Sequence, residues 1–271
     1  MNNHLIAYIS ELPEDALIIL YGNSPIIRNG DVHYPFRQSS DFLYLTGISS
    51  PDLILTILNN EVILWRDPIS EKDIIWGSDK WTDIRMIETS WILDIRDKND
   101  FEVYKNQYKN QILPQEVLVS GIHKLRLIKT PDEIEIIKKA IQITEKTYEY
   151  LLQNIQPGMY EYEIEAMIVY QFRLHRGIEA FPSIVASGSN ACILQYTAKK
   201  KKIETGDLVL IDFGVEIGGY GADISRTFVV GGIMNSRQQE IYDAVLQVKW
   251  FTEDALKPGI TRKDWNIGVK E

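Results

Sequence analysis

The sequence predicts an α/β fold over residues 1–122, followed over residues 123–271 by an α+β fold that the chain leaves incomplete. Three observations carry this reading. In the first part, short apolar runs bounded by turn residues alternate with helix-like stretches, the pattern of an α/β layer structure. Near Gly121 the character changes, and Thr130-Pro-Asp-Glu133 opens a long helix with a capping box and proline at the first helical position. Farther on, the stretch 208–230 reads as two apolar strands joined by a tight turn at Gly218-Gly219, each strand carrying one aspartate, Asp212 and Asp223.

Taken in order, residues 4–12 are expected to form a short helix and residues 16–21 a strand that stops at Gly22-Asn-Ser-Pro25. The polar stretch 28–41 is too long for a minimal turn and reads as an ordered, functional loop. Residues 42–48, 53–58 and 61–65 are expected strands, the last two joined at Asn59-Asn60. Residues 73–81, 83–90 and 101–109 have helical character, with short strands at 91–94 and 117–120. In the second part, Ile134, Ile137, Ile141 and Tyr148 continue the first helix to Pro157-Gly158, and a second helix spans about 160–176 up to Gly177. Residues 183–185 and 191–196 are expected strands. Ser236 is expected to cap a helix running to about Leu256, and Thr261 a shorter one near Glu271. This inventory leaves much apolar sheet face with nothing to cover it.

Hydrophobic content of 45% and charge of 25% are those of a soluble globular chain. A formal charge of −9 disfavours nucleic acid and anionic membranes as partners. The run Lys199–Lys202 reads as a solvated turn rather than a nucleic-acid contact. No apolar run reaches the roughly 18 residues of a membrane span, and the amino terminus lacks the pattern of a signal peptide. Cys192 is the only cysteine and reads as a core residue, so a reducing cytoplasm is the expected compartment.

The two aspartates are the strongest chemical signal. Side chains alternate faces along a strand. If Ile217-Gly218 form the loop, Asp212 and Asp223 lie directly opposite each other; if Gly218-Gly219 form it, they are diagonal neighbours. Both loops have two residues, so both place the carboxylates on one face, roughly 5–8 Å apart. Like charges so placed are destabilising and require compensation. A shared proton, a basic partner such as Arg226, or a divalent cation would each supply it. The spacing alone leaves structural aspartates open as well.

The segments Gly206-Asp-Leu-Val-Leu-Ile-Asp-Phe-Gly and Gly219-Tyr-Gly-Ala-Asp-Ile-Ser-Arg-Thr-Phe resemble the metallopeptidase family with the pita-bread fold, and most closely its Xaa-Pro aminopeptidase branch. Three further segments agree: Asp31–Asp52, with Tyr-Pro-Phe-Arg-Gln and Asp-Phe-Leu-Tyr-Leu-Thr-Gly; the helix approach from Leu125 to Ile134; and Phe181–Thr197. The resemblance implies an amino-terminal aminopeptidase P-like domain over 1–122 and the first part of a pita-bread catalytic domain over 123–271. It implies two divalent ions, often manganese, with Asp212 holding one and Asp223 bridging both. It further implies a water-derived nucleophile and peptides with proline second as substrates, which lose the residue before that proline. Gln195 stands where the family has a substrate-contacting histidine, and Phe181 is a second expected substrate contact. The family's histidine and two glutamate ligands, including its proton acceptor, lie past the position of Glu271; none of His4, His33, His123 and His175 stands in the ligand motif. The expectation is therefore weak or absent activity from these 271 residues, with a non-catalytic binding or assembly module, or a prolidase or creatinase relative, as alternatives. Self-association is a further implication.

Overall fold

A computed structural model describes residues 3–13, 15–76 and 80–270, with no side-chain placement for the last two of these. The chain divides into two compact units, Met1–Pro131 and Asp132–Glu271.

In the first unit, α1 (Asn3–Ser10) leads into β1 (Ile18–Tyr21), and β2 (Ile27–Asn29) and β3 (Val32–His33) form a small exposed hairpin inside the expected long loop. Then come α2 (Ser40–Thr46), β4 (Ile54–Leu58), β5 (Glu61–Arg66), α3 (Glu71–Ile75), α4 (Asp83–Ser90), β6 (Asp94–Asp97), α5 (Phe101–Gln107) and α6 (Gln115–Leu127). The main sheet has the order β1-β4-β5-β6, antiparallel except for the parallel β5–β6 pair. Its strands are apolar on both faces because both faces are covered. Ile18, Leu20, Leu55, Ile57 and Leu64 pack into one core with residues of α1, α2, α4 and α6. Ile19, Ile54, Ile63 and Trp65 pack into another with Phe101 of α5. The indole N–H of the buried Trp65 donates to Thr56 Oγ1 at 2.8 Å, which satisfies the one polar atom of that ring.

Two expected strands are helices. Residues 42–46 belong to α2, where Phe42 and Leu45 are buried at a spacing of three; Gly47, at φ 71°, ends the helix and the buried Ile48 follows it. Residues 117–120 lie in α6, where Leu118 and Ile122 bury one helical face. The strand expected at 91–94 begins instead at Asp94. The division expected after residue 122 falls inside α6: Gly121 is a close approach to Tyr8, whose Cε2 lies 3.0 Å from where a Cβ would stand. Tyr8 donates to Leu118 O at 3.3 Å, and its hydroxyl pKa is raised to about 12 by burial and by the charge of Asp41.

In the second unit, α7 (Pro131–Asn154) and α8 (Glu161–Leu174) pack on a sheet. The strands are β7 (Ile178–Glu179), β8 (Ile184–Ser187), β9 (Leu208–Phe213), β10 (Val215–Ile217), β11 (Tyr220–Gly221) and β12 (Ile224–Val229). Two three-stranded ladders, β8-β9-β12 and β7-β10-β11, follow each other through Gly214. Helix α7 buries Ala140, Ile143, Thr144, Thr147 and Leu151, whereas the expected Ile134 and Ile141 are exposed. Helix α8 buries Ile164, Ile168 and Phe172, whose ring stacks on Phe213 of β9 at 6.1 Å. The strand expected at 191–196 is not formed: Gly188–Cys192 is a 3-10 turn, Cys192 is exposed, and the chain then runs as coil. Helices α9 (Ser236–Ala255) and α10 (Arg262–Lys270) complete the described part. The cap of α9 is Asn235 rather than Ser236; its side chain accepts from Gln238 N in a capping box. Val245, Val248, Trp250 and Phe251 of α9 are exposed. No described helix is long and apolar enough to cross a membrane.

Candidate metal centre

The hairpin carrying the aspartates closes on Gly218-Gly219. Ile217 pairs with Tyr220, and the two glycines have φ of 58° and 87°, the left-handed pair that a type I′ turn requires. The same register runs along the whole ladder and sets Asp212 opposite Ser225 and Phe213 opposite Ile224. Asp223 is therefore the diagonal neighbour of Asp212 on the same face, the second of the two loop alternatives. Val209, Ile211 and Phe213 fill the core, so the alternate residues Leu208, Leu210 and Asp212 share the other, half-buried face.

Gly214 makes this register possible. A Cβ there would stand 1.8 Å from the carbonyl oxygen of Ala222, the residue before Asp223. Its own carbonyl accepts from Ala180 N at 2.9 Å, while Ala222 N donates to Val215 O at 2.9 Å. The strand crossing beside Asp223 is thus too close for any side chain.

The electrostatics match a pair of acids in want of a partner. The Asp223 pKa is raised, first by burial and then by the charge of Asp212. Asp212 Oδ1 is buried and has no hydrogen-bond partner among the described residues. Arg226 does not supply one: it stands opposite Ile211, one residue out of phase with the acids, and its guanidinium donates to Ser225 O at 2.8 Å. A shared proton or a cation is left to offset the repulsion. An orphaned carboxylate oxygen beside a second carboxylate suits an oxygen-preferring divalent ion. Among the described residues, no group of three or more His, Cys, Asp or Glu side chains could hold a metal, so the pair is a partial donor set.

Phe181 and Gln195 flank β8, whose Ile184 pairs with Asp212. Phe181 is half-buried and follows Ala180, the residue bonded to Gly214, so the backbone holds it beside the aspartate end of the hairpin. Ser183 fixes this approach by donating from N and Oγ to Glu179 Oε1, at 3.2 and 2.7 Å. Gln195 lies beyond the other end of β8, exposed and in the left-handed conformation at φ 57°. His175 is exposed at the end of α8.

The sequence reading missed Glu161. It is fully buried at the first turn of α8. Its Oε1 accepts from Ser187 N (2.8 Å), Ser187 Oγ (2.9 Å) and Asn190 Nδ2 (3.1 Å). Its Oε2 accepts from Tyr196 Oη (2.8 Å) and Lys201 N (3.0 Å). Burial by itself would raise the Glu161 pKa, but these hydrogen bonds outweigh it and hold the value below the ordinary 4.5. A depressed folded pKa means that the contribution to stability is complete above 4.5 and is lost as the pH falls through the folded value. Urea unfolding between about pH 6 and pH 3 should therefore show an acid limb that Glu161→Gln flattens; an unchanged limb would assign it to other carboxylates.

The lysine run is not a solvated turn. Lys199 is buried and ion-paired with Glu165. Lys201 bonds Ser187 O at 3.3 Å and Asp207 Oδ2 at 3.0 Å. The partners of Glu161 and Glu165 lie 26 to 40 residues away, and no spacing rule connects them; the only local signal for Glu161 was an acid in the first turn of a predicted helix.

Known proteins share the sequence pattern and the fold of both parts of this chain. Residues 135–270 match the model of metallopeptidase family M24, and residues 3–113 that of the aminopeptidase P amino-terminal domain. The Xaa-Pro aminopeptidase of Haemophilus influenzae is 33% identical over 96% of this chain and 67% of its own length. That of Escherichia coli is 30% identical over 89% of this chain and 64% of its own. The zinc-substituted E. coli aminopeptidase P solved with its product superimposes with a TM-score of 0.88 at 26% identity, covering 98% of this chain and 70% of the other. The chain thus spans about two thirds of the length of these relatives.

Proposed function

The chain belongs to the aminopeptidase P family of the M24 metallopeptidases, with the amino-terminal domain followed by the pita-bread fold, and from that premise we propose that it serves the removal of an amino-terminal residue preceding proline. The observation that carries the reading is the orphaned Oδ1 of Asp212 beside Asp223. These two carboxylates would hold a divalent cation, manganese by the preference of hard ions for oxygen. Such an ion, when bound, polarises a peptide carbonyl and lowers the pKa of water. The chain's own residues do the rest of the work described here. Asp212 and Asp223 present acceptor oxygens on one sheet face. Gln195 can donate a hydrogen bond to the peptide but, unlike the family's histidine, carries neither charge nor a proton to transfer. Phe181 offers an apolar contact for the peptide.

Two carboxylates are a weak site, and turnover by these 271 residues is expected to be slow. The test is hydrolysis of Arg-Pro-Pro with and without manganese, beside a manganese titration followed by thermal unfolding. Manganese should raise the unfolding temperature of the parent chain and not that of Asp212→Asn, with little cleavage in either. Rapid manganese-dependent cleavage that Asp223→Asn abolishes would show that two ligands suffice; a manganese response retained by Asp212→Asn would remove the pair from the metal site.

A further inference from the structure

We infer that Glu161 is a positioning residue that holds the β8–β9 connection so that its tip, Ile193-Leu-Gln195, is presented to the peptide; the inference rests on the reading of Gln195 given above. The five donors to Glu161 come from both ends of this connection, Ser187 and Asn190 before the tip and Tyr196 and Lys201 after it. A carboxylate offers about four lone-pair directions, and here they are saturated by groups of the loop. Asn190 also donates to Tyr196 Oη at 2.9 Å, which closes the loop across its base. The clamped base contrasts with what it carries. Leu194 is 93% exposed, Ile193 54%, and Gln195 is held at positive φ. A short exposed tip with an apolar pair and an amide, standing on a base fixed by a fully buried carboxylate, is a rigid presentation rather than a slack connection. Core packing does not require it, since the sheet strands and α8 already bury their own apolar faces.

The chemistry demands a carboxylate at this point. Glutamine has one acceptor oxygen and an N–H₂ group that would face N–H and O–H donors, so it can satisfy at most one side of the base. Glu161→Gln should therefore release the loop while leaving the strands in place.

The experiment uses hydrogen exchange together with a nitroxide on the single, exposed Cys192. In Glu161→Gln, the amides of Ser187 and Lys201 should lose protection by about tenfold or more, with those of Val209 and Ile211 in β9 unchanged. The label should shift from an immobilised to a mobile spectrum. Tyr196→Phe, which removes one donor and leaves the charge, should give the same change in smaller measure and covers the case in which Glu161→Gln does not fold. Unchanged protection and label mobility in both variants would overturn the clamp. Addition of Arg-Pro-Pro should immobilise the label in the parent chain, and Glu161→Gln should weaken that response at least severalfold in peptide concentration. If the loop is released but peptide acts at the same concentration, Glu161 is structural and the positioning role is refuted. If peptide never affects the parent label, the reading of Gln195 as a peptide contact fails, and the positioning role with it, while the exchange result still decides whether Glu161 clamps the loop.

Discussion

Gly214→Ala is expected to cost about 3 kcal/mol or more, because the added methyl would meet backbone rather than a movable side chain. Its ideal position is 1.8 Å from Ala222 O and 2.4 Å from Ala222 C, so relief requires the two strands to separate. That separation would break the Ala222–Val215 hydrogen bond and move Asp223, the next residue, away from Asp212. In calorimetry the transition of the second unit should fall by on the order of 10 °C. The control is Gly218→Ala. Gly218 also sits in the hairpin, at φ 58°, but a Cβ there meets nothing within 4 Å. Only the left-handed backbone penalty remains, about 1 kcal/mol. Equal costs at the two positions would mean that turn conformation, not the crossing at Gly214, sets the register of the acids.

The hairpin was the part of the molecule most legible from the chain. Strand alternation and the preference for two-residue loops brought Asp212 and Asp223 to one face whichever glycine turned, and the ladder confirms that parity. Local start, stop and turn signals also located α8, α10 and the β4–β5 pair. It failed where an apolar run was too short to distinguish two periods: Phe42, Leu45 and Ile48 fit a helix, yet the same stretch contains enough large apolar residues to pass for a strand. It failed again at 191–196, where apolar residues face outward because the clamp at Glu161, and not burial, fixes the backbone. A buried acid at one end of a helix and its donors 26 to 40 residues later leave no local signature. The lysine run misled for the same reason, since the charge of Lys199 is answered by Glu165 on a different element.

The same logic decides what the aspartate pair does when no metal is supplied. In chelator, Asp223→Asn is expected to stabilise the chain by about 1–2 kcal/mol. It removes a like-charge pair on one sheet face, worth up to about 1 kcal/mol. The new amide can also donate to Asp212 Oδ1, relieving an unsatisfied buried acceptor that costs about 1–3 kcal/mol. In manganese the order should reverse. The parent gains about 2.7 kcal/mol at a hundred times the dissociation constant, and the variant gains nothing. The two melting curves should therefore cross as manganese is raised. A site selected for folding alone would not behave this way, because its best sequence would be the more stable one under every condition. Loss of stability in Asp223→Asn without metal would mean that a proton shared by the two acids already compensates them. Retention of the manganese gain in Asp223→Asn would place the ion elsewhere. A crossing leaves the two acids as a pair that weakens the sheet until a cation joins it.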